Sequence, residues 1–194
     1  MARTLRPARI RGKRLPRLFF FTDPARVADP EAVLRRLPRG AGVVYRAFGA
    51  PDAEARGRRL VRIARRRGLL LLAGADAGLA ARIGADGVHL PERGAWAAGV
   101  LKRARPGWIV TGAAHSAAAI ARARRAGADV VFVSPVFASA SASAGRPLGS
   151  LRFAQLVRGA GLPVYALGGI DAASARRIVR SGTSGFAAVD ALRT

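Results

Sequence analysis

The chain has 194 residues, with 34 Lys and Arg against 11 Asp and Glu, a formal charge of +23, no cysteine, and 51% apolar residues. That apolar share excludes an intrinsically disordered chain, and the length suits one domain with its own core. Lack of cysteine excludes a disulfide framework, and no run approaches the roughly 18 apolar residues of a membrane span, so a cytoplasmic protein with no membrane partner is expected.

Residues 1–17 carry seven Arg or Lys and two prolines and read as a basic N-terminal tail, with a single domain over 18–194. A strap or helix laid over the fold is the alternative for this segment. The apolar run Leu18–Phe21 is too short for a signal-peptide core. Strand-like runs then recur along the chain: Leu18–Thr22, Gly42–Arg46, Leu69–Ala73, Asp86–Leu90, Trp108–Gly112, Asp129–Ser134, Leu162–Gly168 and Ser184–Asp190. Between them lie helical patterns, clearest in RVADPEAVLRRL and DAEARGRRLVRIARRR. Near-continuous apolar strands alternating with helices imply parallel strands buried on both faces.

Eight such strands predict an α/β fold, a compact (β/α)8 TIM barrel, with a doubly wound open sheet as the competing arrangement. Only four residues follow Asp190, so the eighth helix is missing. The seam beside the last strand should then be bare unless the N-terminal segment or a second copy covers it, and a homodimer is expected. The arginines are spread over nearly every predicted helix, and aromatics are scarce and not interleaved with them. Solvated helix faces account for that pattern, so no specific nucleic-acid partner is expected.

In a parallel barrel, chemistry sits at the C-terminal ends of the strands. Arg46 ends one strand and suits an anionic substrate, unless a neighbouring carboxylate takes it. His115, after WIVTG, is the imidazole best placed for acid–base work, and Ser134 ends the sixth strand. His89 reads as a core histidine. In LGGIDAASA, Gly168 and Gly169 allow close backbone approach and Asp171 caps a helix starting at Ala172; a phosphate loop and an ordinary βα turn are both compatible. No metal constellation is visible, and no cofactor is evident.

GADGVHL (84–90), AGADVVFVSPVF (126–137), PLG (147–149) and LPVYALGGIDAASARRIVRSGTSGFAAV (162–189) together resemble the thiamine phosphate synthase and TenI family. The resemblance runs over about Leu18–Ala191 and implies a (β/α)8 barrel in thiamine biosynthesis. The implied reaction joins an aminopyrimidine, by loss of its diphosphate, to a thiazole phosphate. Gly168 and Gly169 match the loop holding the thiazole phosphate, Arg46 the strand-end arginine, and Ser139 and Ser141 the two threonines of the diphosphate clamp.

Several partners of those residues differ here. The clamp lysine is Ala142, the lysine following Arg46 is Phe48, and the serine before the family histidine is Ala113. The two Mg2+-binding aspartates fall on Ala75 and Gly94, so Mg2+ is expected only if Asp76 or Glu92 replaces them. Diphosphate departure depends on that electrostatic stabilisation, which points to a small phosphorylated heterocycle as ligand. A metal-free TenI-like tautomerase using His115, or a non-catalytic phosphate-binding barrel, are the alternatives. Asp190 stands where the family closes with a serine, and its charge beside a phosphate needs a cation such as Arg46, Arg146 or Arg193.

Overall fold

The structure, a computed structural model, describes residues 5, 8–10, 12–139 and 145–192. Two short antiparallel strands come first, Arg9–Ile10 (β1) and Lys13–Arg14 (β2). Eight parallel strands follow: Leu18–Phe21 (β3), Gly42–Tyr45 (β4), Leu70–Gly74 (β5), Gly87–Leu90 (β6), Ile109–Ala114 (β7), Val130–Val133 (β8), Val164–Ala166 (β9) and Gly185–Ala188 (β10). They pair in chain order, and β10 closes on β3 through Phe186, Ala187 and Ala188. Every expected strand is present, with ends moved by one or two residues in most cases.

The wall is apolar on both sides because each strand serves two cores. In β3, Phe19 and Phe21 point into the barrel while Phe20 packs outward with Val33, Leu34 and Leu60. Inside, Phe19, Phe21, Phe132 and Tyr165 form a column of rings with centroids 5.0–5.2 Å apart, mostly edge to face. Phe19 also explains Gly42: a Cβ there would enter its ring.

Seven helices connect the strands: Pro30–Arg36 (α1), Ala53–Arg67 (α2), Ala77–Ile83 (α3), Ala98–Ala104 (α4), Ala117–Arg125 (α5), Gly149–Gly159 (α6) and Ala172–Ile178 (α7). Four of them start on a short polar side chain. Asp29, Asp76 and Ser116 each accept from a backbone amide in the first turn, and Asp171 with Ser174 forms a reciprocal capping box. Among the described residues, no helix is long and apolar enough to cross a membrane.

Two expectations need correction. The N-terminal segment is not simply a tail: β1 and β2 make a hairpin that plugs the barrel at the strands' N-terminal end. Its Ala8 and Leu15 are buried in the interior cluster with Phe19 and Tyr165, and Tyr165 Oη donates to the Pro16 carbonyl at 2.5 Å. The hairpin does not cover the seam, and the seam is not bare. Outward-facing Phe20 and Ala188 are 0% and 6% exposed, and Val27 and Leu192 pack against the same cluster as Phe20. That removes a bare seam as a reason to expect a second copy.

Candidate active site

At the C-terminal ends of the strands opens a cavity of about 1110 Å3. Arg46, His115, Ser134, Ser139, Gly168, Gly169 and Asp190 all line it, although they come from loops after five different strands. Ser141 lies outside the described residues.

Arg46 follows β4 and is held from several directions. Its Nε donates to the Thr22 carbonyl at 2.6 Å and its Nη2 to Asp23 Oδ2 at 3.1 Å. The guanidinium lies between the rings of Phe21 and Phe48, 5.8 and 5.1 Å from their centroids. Burial draws its pKa below the ordinary arginine value, against the opposing pull of Asp23. This arginine is therefore paired with a carboxylate, the alternative weighed for it, while still lining the cavity. Phe48, 66% exposed and with a φ of 49°, forms an apolar lip where the resemblance implies a lysine.

His115 follows β7. Its Nδ1 lies 2.6 Å from the Ser134 carbonyl and 3.5 Å from Ser134 Oγ. A carbonyl oxygen only accepts, so Nδ1 carries the proton, and in the neutral ring Nε2 holds the lone pair. The His115 amide donates to Glu92. His89 sits deeper, between Phe21 and Phe132, with Nδ1 3.0 Å from Thr111 Oγ1. Burial, and then the charge of Arg46, push its pKa down to about 3, so it is neutral at ordinary pH. Its Nε2 has no protein partner among the described residues, and the side chain lines the cavity floor.

The paired-glycine loop after β9 takes positive φ at both positions, 88° at Gly168 and 64° at Gly169. A Cβ on either would strike the segment Pro135–Ala138, so the glycines are required by packing as much as by any ligand. Among the described residues, the amides of Gly168, Gly169 and Ile170 donate to no protein acceptor. Those three donors, at the cavity wall, suit an anion. The start of α7 is already filled by the Asp171 cap, so the anion-ready part is the loop itself.

Asp190 is neutralised by a residue that sequence reasoning missed. Arg26, in the loop after β3, forms a two-point ion pair with it and lines the cavity too. Nothing local marks Arg26: the pair joins residues 164 apart and exists only because β10 closes on β3. The cations weighed from the sequence are not those in this pair.

The side chains do not fit Mg2+. Ala75 and Gly94 offer no ligand, Asp76 Oδ1 accepts from the Leu79 amide at 2.8 Å, and Glu92 pairs with Arg122 at 2.8 Å. Among the described residues, no three His, Cys, Asp or Glu side chains come together.

Comparison with known proteins agrees with this fold. The family described as "Thiamine monophosphate synthase" matches residues 18–192. A curated Aquifex aeolicus protein named "Putative thiamine-phosphate synthase 2" is 31% identical over 90% of this chain and 96% of its own. A Bacillus velezensis "Thiamine-phosphate synthase" is 28% identical over 85% of this chain and 77% of its own. Among solved structures, a thiamine phosphate pyrophosphorylase from Pyrococcus furiosus superposes with a TM-score of 0.80 at 24% identity, covering 92% of this chain and 88% of that one. FabK from Thermotoga maritima gives 0.68 at 14% identity over 91% and 58% of the two chains, a likeness of barrel fold only. The chain belongs to the thiamine monophosphate synthase family.

Proposed function

We propose that the chain binds a monophosphorylated heterocycle of thiamine biosynthesis, of the thiazole phosphate kind, and moves a proton on it with His115. The observation that carries this reading is the hydrogen bond from His115 Nδ1 to the Ser134 carbonyl, which orients the ring with Nε2 available as a base at the cavity. The phosphate would take the amides of Gly168, Gly169 and Ile170, with the Arg26–Asp190 pair adding no net charge nearby. His89 Nε2 is placed to meet a ring substituent at the floor.

The names of the relatives favour a second reading, coupling of an aminopyrimidine diphosphate to thiazole phosphate. Phe48, Ala75 and Gly94 weigh against it, since removing even one charge-stabilising donor from such a site costs about 10²–10³ in rate.

Calorimetric titration with thiazole phosphate, pyrophosphate and Mg2+ separates the two. Thiazole phosphate alone should bind, and NMR in D2O should show catalysed exchange of an acidic carbon-bound proton of the ligand. His115→Ala should slow that exchange by about 10²–10⁴-fold while leaving binding within about threefold. Mg2+-dependent pyrophosphate binding would instead establish the coupling reading.

A further inference from the structure

We propose that the closed end of the barrel, opposite the cavity, is a docking surface for the phosphate backbone of double-stranded nucleic acid. In this fold every helix begins at the open end and finishes at the closed one. Nine of the 11 carboxylates lie in strand-end loops, at helix caps or in first turns, all at the open end. The two at the closed end, Asp86 and Asp129, are tied to the amides of Leu71 and Val110, and Asp129 also to Lys102.

Arginines run the opposite way. Arg65 and Arg66 end α2, Arg103 ends α4, and Arg124 and Arg125 end α5; all five are exposed, and none pairs with a carboxylate among the described residues. The plugging hairpin and the residues leading into β3 add exposed Arg9, Arg14 and Arg17 at the centre of the same face. A cation in a last turn complements the helix dipole, but five arginines unpaired with carboxylates among the described residues, at the ends of three helices with a basic hairpin between them, exceed that need.

The chemistry of the face selects its partner. The large apolar side chains exposed among the described residues are Phe48, Trp96, Val100 and Leu151, and none belongs to the hairpin or to a helix's last turn, Val100 being the third residue of α4. Trp108, just before β7, is half-buried under the Arg105 guanidinium, 5.6 Å from its ring centroid. Among the described residues the face therefore has no open aromatic platform for unstacked bases and no apolar wedge for a membrane. Arginines that form charge-assisted bonds to phosphate, without side chains to read base edges, fit a duplex bound irrespective of sequence. This is compatible with the absence of a specific nucleic-acid signature in the sequence.

The test is fluorescence anisotropy with a mixed-sequence 20-base-pair DNA duplex, titrated with full-length protein at several salt concentrations. Two closed-end variants, R14A/R17A/R65A and R66A/R103A/R124A, are compared with an open-end control of equal charge change, R93A/R146A/R152A. Each closed-end variant should weaken duplex binding at least fivefold at 0.1 M NaCl and flatten the log–log salt slope by about two to three. The control should stay within twofold, and circular dichroism should show all three folded. Equal loss in the control would overturn the proposal, leaving net charge as the cause. So would undetectable duplex binding, tighter binding of the single strand, or binding of anionic phospholipid vesicles in preference to the duplex.

Discussion

His89 occupies an unusual position for a titratable side chain. It is walled by Phe21 and Phe132, bonded to the wholly buried Thr111, and within reach of the field of Arg46. In the unfolded chain it would titrate near 6.5, whereas in the barrel its pKa is about 3. Between those values the unfolded state binds more protons, so acid favours unfolding. The contribution of the neutral ring is therefore complete above pH 6.5 and is lost as pH falls towards 3. By pH 4.5 the loss amounts to about 2–3 kcal/mol. His89→Gln, which keeps a partner for Thr111, should remove that slope. Urea melts at pH 7 and pH 4.5 check it: the wild type should lose about 2–3 kcal/mol more than the variant over that interval. Equal losses would place the acid sensitivity among the carboxylates instead.

The eight wall strands were legible in the sequence because each carries apolar residues at nearly every position, the mark of a strand buried on both faces. The hairpin was not legible, because its two-residue strands are Arg-Ile and Lys-Arg. What fixes it is tertiary: Leu15 and Ala8 in the barrel mouth, and the Tyr165 hydroxyl on Pro16. The site divides in the same way. Arg46, His115 and the glycine pair stand at strand ends, where the fold alone places them, but the Arg26–Asp190 pair depends on closure between the first and last wall strands. As a plug, the hairpin should carry stability. Leu15→Ala should cost about 2–4 kcal/mol, and Tyr165→Phe, losing one hydrogen bond, about 1 kcal/mol. Denaturant midpoints measure both. A Leu15→Ala effect within 0.5 kcal/mol would mean that the hairpin rests on the barrel without supporting it.

Across the whole molecule, the charges fall into two opposed groups. Nine cations pair with seven carboxylates among the described residues, and the other four carboxylates, Asp29, Asp76, Asp86 and Asp171, accept from backbone amides. Every negative charge is thus engaged, while most Lys and Arg among the described residues pair with no carboxylate. Salt acts on both groups with opposite signs. It screens the ion pairs, most of them on substantially exposed side chains and each contributing no more than about 1 kcal/mol. It also screens the mutual repulsion of a chain at +23, whose arginines gather at the closed end, where neighbouring charges lie within a Debye length of about 10 Å at 0.1 M salt. Repulsion involves many more charge pairs than attraction does, so its relief should dominate. Raising NaCl from 0.05 to 0.5 M should stabilise the fold by about 2 kcal/mol, which for a chain of this length is roughly 4–8 °C in Tm. Differential scanning calorimetry over that range decides the sign. A falling Tm would mean that the ion pairs at the open end outweigh the crowding of arginines at the other.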